Sequence, residues 1–514
     1  MLSRKLPWSI ACLFALLLAS PSSAVAAPVL VLGEDGEVRT TRDVPSPIGD
    51  FPVPGARSAH SDGAAGPVRA RIAQAGRRRG PTVSGELRRM LRRGQIDTVR
   101  HGELRAVYDD ARSTARRLRG RRGLELRGLL AILDGIASRR QLTPSRLTPL
   151  WLTLERNVRW WRTGPLPSSG QRVQFEGSQL LWQYVPGQGL HVHPLANFGR
   201  LNGFWLGGRR YREAMAQMLD ELLPLRVERA GGVAWEYYFH FGPSVAPWVS
   251  GMAQGTALQA LTRASQRLAR SVEVAPVVQA GLAVFEAPPP AGVRVRSGRG
   301  AHYLLYSGDP GLRVLNGFVQ SLAGLQTVAE MTADPRAQTL YETGRAALAR
   351  EIAASDTGAW SLYSLGRVSQ ESSLHYHRLL TEFLANLCKR TGDGLYCETE
   401  ARFAAYVSQP PALAVLTRRV RAGATGSLRF RLSKRSLVGL RIEHRGRVLL
   451  SRSLGSLPYG RRAAPRRPPR RRRGAYTVTL TATDLAGNGN AVAAPVEILP
   501  ARPTRRGDKR TRSR

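Results

Sequence analysis

Three tyrosines in the second half of the chain are the residues best suited to move protons. Tyr306, Tyr363 and Tyr376 each lie near an end of a predicted helix. A phenol has a pKa of about 10, so it is a weak acid and, beside cations, a weak base. Tyrosines gathered at the lip of a helical barrel would suit proton removal and return at a carbon next to a carboxylate. The pattern suits proton transfer on both faces of a sugar ring, next to a carboxylate, if the fold brings the hydroxyls together.

The charge of the chain indicates an acidic partner. Its 77 Lys and Arg residues outnumber 37 Asp and Glu residues, which gives a formal net charge of +40. Guanidinium groups pair bidentately with carboxylate and sulfate, so an acidic polysaccharide is the expected partner. The basic segment 461–473 and the basic tail 501–514 are either binding sites for a cell-envelope polyanion or plain solvated charge. Nucleic acid is not an expected partner of an exported protein.

The N-terminus has the pattern of a secretory signal peptide over residues 1–26. Arg4 and Lys5 precede an apolar run, and Ala24-Val25-Ala26 is a small-residue cleavage site. We therefore expect a secreted or cell-envelope-associated protein, with a retained N-terminal anchor as the alternative.

Cysteine and histidine usage predicts a disulfide and no metal. Cys388 and Cys397 flank a Gly-rich turn, and such a pair in an exported protein is expected to form a disulfide. No Cys/His set has the spacing of a zinc site, and His191 and His193 have no evident third ligand. The sequence predicts no cofactor.

Composition and hydrophobic periodicity predict a mainly α fold, a partial α/α toroid, with a small β-hairpin region and a C-terminal immunoglobulin-like β-sandwich. The predicted segments are the signal peptide 1–26, a disordered linker 27–80, an N-terminal helical region 81–165, an α/α domain 166–411, a β-sandwich 412–500 with a basic insert, and the basic tail 501–514. Within the α/α domain, helices are expected near 195–206, 208–224, 246–268, 275–285, 313–332, 336–354, 374–390 and 398–408. Proline is expected to keep the insert 461–473 out of any strand.

Five segments of the chain occur in the order and at the spacing of a known family. They are Pro186-Gly187-Gln188-Gly189-Leu190-His191-Val192-His193-Pro194, Pro247-Trp248-Val249-Ser250-Gly251-Met252-Ala253-Gln254-Gly255, Val314-Leu315-Asn316-Gly317-Phe318, Gly358-Ala359-Trp360-Ser361-Leu362-Tyr363 and Tyr376-His377-Arg378-Leu379. Over roughly residues 175–408 they resemble the C-terminal domain of the D-glucuronyl C5-epimerase family. The N-terminal helices and the β-sandwich are not covered by the resemblance.

The resemblance implies an isomerase that inverts C5 of glucuronate units in a polysaccharide such as heparosan or heparan sulfate. It also implies that Tyr306, Tyr363 and Tyr376 take part in catalysis. We expect Tyr306 and Tyr376 to be the proton-transfer pair and Tyr363 to stabilise or relay charge. Members of the family can dimerise, so a homodimer remains open.

Further residues are candidates for binding the substrate. Arg367 and His377 are the candidates for its carboxylate, and Asn316 at a helix start is the candidate for a sugar hydroxyl. Aromatic side chains offer stacking faces for sugar rings. The candidates of this kind are Trp182, Tyr184, Trp235, Tyr237 and Tyr238.

Some positions depart from the pattern of the family. Leu304 and Leu305 stand where acidic residues often precede the first tyrosine, Ser364 stands where Asp often follows the second, and Leu380 replaces a further His. These differences leave two alternatives open. One is a polysaccharide lyase, which removes the same proton and then expels the C4 oxygen. The other is a non-catalytic glycan-binding or cell-envelope-binding protein.

Overall fold

The structure, a computed structural model, describes residues 28–43, 80–421, 426–466 and 474–500. This part of the chain is rich in helices, carries several small sheets and packs around extended hydrophobic cores. The predicted helix-rich fold is thereby confirmed. The predicted signal peptide, most of the predicted linker and the basic tail lie outside the described residues. Among the described helices, none is both long and apolar enough to cross a membrane.

Helices fill the N-terminal region, as the apolar periodicity there predicted. They are α1 (Val83–Arg92), α2 (Thr98–Arg117), α3 (Gly120–Ser138) and α4 (Pro144–Thr163). The Thr82 hydroxyl and the Asp97 carboxylate accept backbone N–H groups in the first turns of α1 and α2. Pro144 begins α4, where a missing N–H is harmless. The apolar faces of these helices share one core with a sheet.

That sheet has the strand order β2-β1-β3-β4-β5. Its strands are β1 (Pro28–Leu32), β2 (Val38–Arg42), β3 (Arg172–Phe175), β4 (Trp182–Val185) and β5 (Gly189–Val192). The prediction of a disordered linker is wrong for residues 28–42, because β1 pairs with β2 and runs parallel to β3, with Val29 opposite Arg172. Val29 and Leu32 are fully buried, so this segment contributes to the hydrophobic core. The Gly/Pro-rich composition around it did not indicate such a role.

Long buried helices form the centre of the molecule. They are α5 (Pro194–Gly207), α6 (Arg212–Leu222), α7 (Gly251–Leu268), α8 (Ser271–Gly281), α9 (Leu315–Thr332), α10 (Pro335–Ser355), α11 (Leu374–Thr391) and α12 (Gly394–Tyr406). Helices α7 and α9 approach so closely that a Cβ at Gly324 would lie 2.1 Å from the carbonyl oxygen of Gly255. This contact requires glycine and brings the two backbones together.

Short antiparallel strands interrupt the helices. They are β6 (Val227–Arg229) with β7 (Gly232–Ala234), β8 (Arg294–Ser297) with β9 (Gly300–Tyr303), and β10 (Leu312–Val314), β11 (Leu362–Gly366) and β12 (Gln370–Glu371), which form a sheet in the order β10-β11-β12. The last of these sheets lies where segments distant in sequence meet, and it positions the candidate site.

Residues 413–499, called the C-terminal β-domain below, form two sheets around one hydrophobic core in their described part. One has the order β13-β15-β18 and the other the order β14-β20-β19-β16-β17. The strands are β13 (Leu413–Val415), β14 (Arg419–Arg421), β15 (Gly426–Leu432), β16 (Ser436–His444), β17 (Arg447–Leu457), β18 (Gly460–Arg466), β19 (Gly474–Asp484) and β20 (Gly489–Leu499).

The predicted basic loop 461–473 is in part a strand. Its first residues lie in β18, which pairs antiparallel with β15 from Gly460 opposite Leu432 onward. The prediction is wrong there because β18 is the outer strand of its sheet, and an outer strand tolerates proline. Residues 467–473 lie outside the described residues.

Candidate functional site

The three tyrosines lie on segments that converge at the sheet β10-β11-β12. Tyr306 is in the loop from β9 to β10, Tyr363 is in β11, and Tyr376 is in the first turn of α11. Pairing of β10 with β11 brings the end of the Tyr306 loop beside the strand that carries Tyr363. The Ser373 hydroxyl accepts the backbone N–H of Tyr376 at 3.2 Å, which begins α11 at this point.

The three tyrosine side chains form one cluster. The hydroxyls of Tyr306 and Tyr363 interact by a hydrogen bond, and the ring centroids of Tyr363 and Tyr376 lie 4.8 Å apart. Tyr306 is buried, whereas Tyr363 and Tyr376 are half-buried. The cluster therefore has a covered side and an accessible side.

Aromatic packing holds Tyr306 in place. Its ring centroid lies 5.1 Å from that of Phe241 and 5.7 Å from that of Trp248. Trp248 in turn stacks on Tyr237 with 4.2 Å between the centroids. These rings form a rigid apolar base beneath the first phenol, because large buried aromatics have few alternative rotamers in a close-packed interior.

The two hydrogen-bonded phenols differ in acidity. Burial raises the pKa of Tyr363 to about 12, although the hydrogen bond from Tyr306 acts to lower it. Burial, together with the neighbouring Tyr363 and Tyr376, raises the pKa of Tyr306 well above its ordinary value. Tyr306 is buried and Tyr363 is half-buried, so Tyr363 is the phenol of this pair that a substrate can reach, and Tyr306 is placed to stabilise its anion.

An exposed guanidinium lies on the hairpin that carries Tyr363. Arg367, between β11 and β12, donates to Asp309 at 2.9 Å, and its side chain is 63% exposed. The backbone N–H of Asp309 donates to the carbonyl of Tyr306 at 3.1 Å. The ion pair thus links the Tyr306 loop to the Tyr363 hairpin, and Arg367 keeps open surface for the carboxylate-binding role predicted from the sequence.

Two residues beside the cluster were not selected from the sequence. Asp309 lies in the turn Gly308-Asp309-Pro310-Gly311, and Phe241 ends the aromatic run 237–241. A polar residue in a tight turn directly after a candidate tyrosine was an available signal for Asp309. For Phe241 the aromatic run was the only signal, and it did not show which ring would reach Tyr306.

His377 belongs to the core, and its burial argues against the carboxylate-binding role predicted for it. The side chain is fully buried, and its ring stacks on Trp360 with 3.9 Å between centroids. Its Nε2 donates to the carbonyl of Phe403 at 2.8 Å, and its Nδ1 lies 2.7 Å from Ser361 Oγ. Burial lowers the pKa of His377 to about 4, so the ring is neutral at physiological pH.

Asn316 and the aromatic residues predicted to stack on sugar rings are also buried, which argues against those roles. Asn316 is 4% exposed, and its side-chain oxygen accepts the N–H of Gly317. Tyr184 donates to Glu125 at 2.7 Å, and the Trp235 indole donates to the carbonyl of Leu222 at 2.8 Å. The aromatic candidates are at most 5% exposed: Trp182, Tyr184, Trp235, Tyr237 and Tyr238.

The candidate metal-like histidines are buried side chains with structural contacts. His191 Nε2 lies 2.9 Å from the carbonyl of Gln188, and His193 Nδ1 accepts the N–H of Ala196 at the start of α5. Burial lowers their pKa values to about 4 and about 3. Within the described residues, no group of three or more His, Cys, Asp or Glu side chains is arranged to hold a metal ion.

Two other features lie away from the tyrosines. Cys388 and Cys397 form a disulfide that joins α11 to α12. A cavity of about 580 Å³ lies beside the N-terminal sheet. Its described lining comes from β1 to β3 and the segment after them, with Arg200 and Gln217 from α5 and α6, and does not include the tyrosines. The cavity is therefore separate from the tyrosine cluster.

Comparison with known proteins concerns mainly the part of the chain that carries the cluster. Residues 230–405 match the family model described as D-glucuronyl C5-epimerase C-terminus. Among curated proteins, none matches the chain. Among solved structures, a D-mannose isomerase is similar at 14% identity with a TM-score of 0.32, over 41% of this chain and 58% of that chain. This chain thus spans little more than half the length of that isomerase.

A cellobiose 2-epimerase from Bacillus thermoamylovorans B4167 is similar at 10% identity with a TM-score of 0.33, over 51% of this chain and 72% of that chain. The family match contains Tyr306, Tyr363 and Tyr376, together with Arg367 and Asp309. Residues 230–405 are therefore similar to the C-terminal domain of the D-glucuronyl C5-epimerase family.

Proposed function

We propose that this chain is an exported uronic-acid C5-epimerase that inverts C5 of glucuronate units in an acidic polysaccharide. The observation that carries the proposal is the contact among Tyr306, Tyr363 and Tyr376 inside the segment that matches the epimerase family. Phenols that bond to each other and stay partly accessible are suited to pass protons to and from a sugar.

The reaction requires a cation beside the substrate carboxylate. The C5 proton is acidic only if the charge of the adjacent carboxylate is neutralised while negative charge develops on C5. Arg367 is the residue we assign to this task, because its guanidinium is exposed on the hairpin that carries Tyr363. Its ion pair with Asp309 holds the guanidinium in place without covering it.

The proton moves in two steps. Tyr363, as the phenolate, takes the proton from C5, and the electron pair of the broken bond is delocalised into the neutralised carboxylate as an enolate. Tyr306 stabilises the phenolate through its hydrogen bond. Tyr376 then gives its hydroxyl proton to the opposite face of C5, which forms the inverted C–H bond. Proton exchange with solvent restores Tyr363 and Tyr376, so no other reactant is consumed.

This assignment differs from the one made on sequence alone, where Tyr306 and Tyr376 were the proton-transfer pair. The reason is accessibility, because the Tyr306 side chain is buried whereas that of Tyr363 is half-buried beside it. Tyr376 keeps the role of second proton-transfer group in both assignments.

The wider features of the chain fit the same proposal. A net charge of +40 favours a polyanionic polymer such as heparosan or a sulfated relative. The signal-like residues 1–26 favour export to the cell envelope or beyond, and the segments 461–473 and 501–514 would add affinity for a cell-envelope polyanion. In fold terms, we propose that the paired central helices form a partial α/α toroid, that the C-terminal β-domain is immunoglobulin-like, and that a homodimer can form.

Isotope exchange tests the proposed reaction. The full chain is incubated with a glucuronate polymer of the heparosan type in deuterated water, and we expect deuterium at C5 together with iduronate. Tyr363→Phe should lower the exchange rate by about 10²–10⁴-fold. The matched control is Tyr341→Phe, because Tyr341 hydrogen-bonds to Tyr396 at 3.0 Å outside the cluster and should leave the rate unchanged.

Each contrary outcome points to a different function or mechanism for this chain. Binding of the polymer without label at C5 would overturn the catalytic claim and leave a glycan-binding protein. An unsaturated product that absorbs in the ultraviolet would make the chain a polysaccharide lyase. Exchange that is unaffected by Tyr363→Phe would remove the tyrosine cluster from the mechanism.

A further inference from the structure

Glu371 is a buried carboxylate beside the tyrosine cluster that the proposed reaction does not use. It lies in β12, is 3% exposed, and stands opposite Leu362 in the pairing of β11 with β12. The pairing is irregular between Leu362 and Ser364, so the intervening residue, Tyr363, has no partner in β12. Such irregularities in a strand redirect a side chain, and here the redirected residue is the proposed base.

Both carboxylate oxygens of Glu371 accept backbone N–H groups from the C-terminal β-domain. The N–H of Arg435 donates to Oε1 at 2.7 Å, and the N–H of Tyr459 donates to Oε2 at 2.9 Å. Arg435 lies in the loop between β15 and β16, and Tyr459 lies in the loop between β17 and β18. One carboxylate thus holds two loops of the β-domain against the hairpin that carries Tyr363.

The residues after Glu371 lead directly to Tyr376. The N–H of Ser372 donates to the carbonyl of Ser361 at 3.0 Å. Ser373 then caps α11 through the N–H of Tyr376. Glu371 therefore lies between the two half-buried tyrosines in sequence, directly before residues that hydrogen-bond to β11 and to the start of α11, so a shift of β12 would move both tyrosines.

Lys434 fixes the same loop of the β-domain from a second direction. Its ammonium donates to the carbonyls of Tyr406 and Gln409 at 2.7 and 2.6 Å, and it lies 3.3 Å from the Asp484 carboxylate. The side chain is 2% exposed, so these bonds are shielded from water. The loop between β15 and β16 is consequently bonded to the end of α12 as well as to the C-terminal β-domain.

We propose that the C-terminal β-domain is part of the catalytic unit, with Glu371 as the positioning residue through which it fixes Tyr363 and Tyr376. The inference rests on the proposed function and assigns a role to a domain that lies outside the family match of residues 230–405. In physical terms, the β-domain supplies two N–H donors to the Glu371 carboxylate. Those bonds hold β12 in a single register beside β11, the strand that carries Tyr363.

Substitution of Glu371 in the full chain tests the proposal. Glu371→Ala should lower kcat by about 10–100-fold, because proton transfer is sensitive to displacements near 1 Å. The KM should remain close to that of the wild type, since Arg367 stays in place. Glu371→Gln keeps one acceptor oxygen but presents an amide N–H to the second of the two backbone N–H donors, so one hydrogen bond is lost. Its kcat should therefore lie between those of the wild type and Glu371→Ala. The control is Asn490→Ala, which removes a 2.8 Å bond to the carbonyl of Pro411 away from the hairpin.

A double-mutant cycle separates positioning from general destabilisation. Because Glu371 acts partly through Tyr363 and partly through Tyr376, Glu371→Ala should cause a smaller loss in a chain that already carries Tyr363→Phe than it causes in the wild type. A folded Glu371→Ala variant with the kcat of the wild type, or a loss that adds fully to that of Tyr363→Phe, would overturn the proposal.

Hydrogen exchange keeps the inference testable if the wild type proves inactive. Glu371→Ala should speed amide exchange across residues 362–378, and Asn490→Ala should not. Equal protection of this segment in wild type and Glu371→Ala would overturn the positioning role whatever the reaction. If the wild type is inactive but Glu371→Ala still exchanges its amides faster than the wild type, the positioning role of Glu371 stands and only the C5-epimerase reaction is rejected.

Discussion

Replacing Tyr306 by phenylalanine removes one hydroxyl and keeps the ring that packs on Phe241 and Trp248. The variant should therefore stay folded. The lost group is the donor that stabilises the anion of Tyr363, whose pKa is about 12. A hydrogen bond to a charged group contributes about 1.5–3 kcal/mol, and about 1.36 kcal/mol corresponds to one pKa unit. The pKa of Tyr363 should rise by about one to two units.

The rate should follow the fraction of phenolate. Below the pKa of Tyr363, that fraction falls tenfold for each unit by which the pKa rises, so kcat/KM should fall by about 10–100-fold. The assay is deuterium incorporation at C5 over a series of pH values. In the wild type, kcat/KM should increase with pH above neutrality because Tyr363 is the group that loses a proton. The Tyr306→Phe curve should run parallel to it at lower rates.

Two results would refute this reasoning. An unchanged rate in Tyr306→Phe would show that its hydroxyl does not stabilise the base. A loss as large as that of Tyr363→Phe would make Tyr306 itself a proton-transfer group, as the sequence-based assignment held. An ultraviolet titration of the phenolates, compared with Tyr341→Phe, checks the pKa change independently of substrate.

Three further outcomes follow from the structure. Tyr376→Phe should retain deuterium exchange at C5 but lose inversion, since one face would still be deprotonated; product analysis by NMR would separate the two. His377→Ala should lower the free energy of unfolding by about 2–4 kcal/mol, measured in denaturant, because a stacked and hydrogen-bonded ring is lost. Burial acts to raise the pKa of Glu236, yet the Arg146 and Arg229 guanidiniums hold it below the ordinary value, so Glu236→Gln should destabilise by about 3–5 kcal/mol at neutral pH. That difference should be present above the pKa of an unfolded Glu, about 4.3, and should disappear as the pH falls through the lower folded value.

Helix positions were the part of the fold most open to prediction from sequence. The helices expected near 313–332, 336–354 and 374–390 differ from α9, α10 and α11 by one or two residues at their ends. Caps and apolar periodicity are local signals, so they are visible in a single sequence. The strand β1 could not be found in this way, because its partner β3 lies more than a hundred residues later and its Gly/Pro-rich surroundings resemble a linker.

At the site, the residue types could be predicted from the sequence, but their surroundings could not. The motifs singled out Tyr363 and Tyr376, and the structure brings both to one cluster with Tyr306. Tyr376 and His377 are neighbours, yet they point about 100° apart around α11, so one meets the cluster and the other the core. The contacts of Glu371 with two loops of the β-domain could not be predicted, because they join residues far apart in sequence through backbone N–H groups, which every residue type except proline carries.

The strand β1 has a consequence for the handling of the protein. It lies between β2 and β3 and buries Val29 and Leu32. Proteolytic trimming beyond Leu32 would strip β3 of this neighbour and expose its unpaired N–H and C=O groups, a template for intermolecular strand pairing. Preparations with a ragged N-terminus should therefore aggregate, even though every residue of the segment 230–405 that matches the family model is still present.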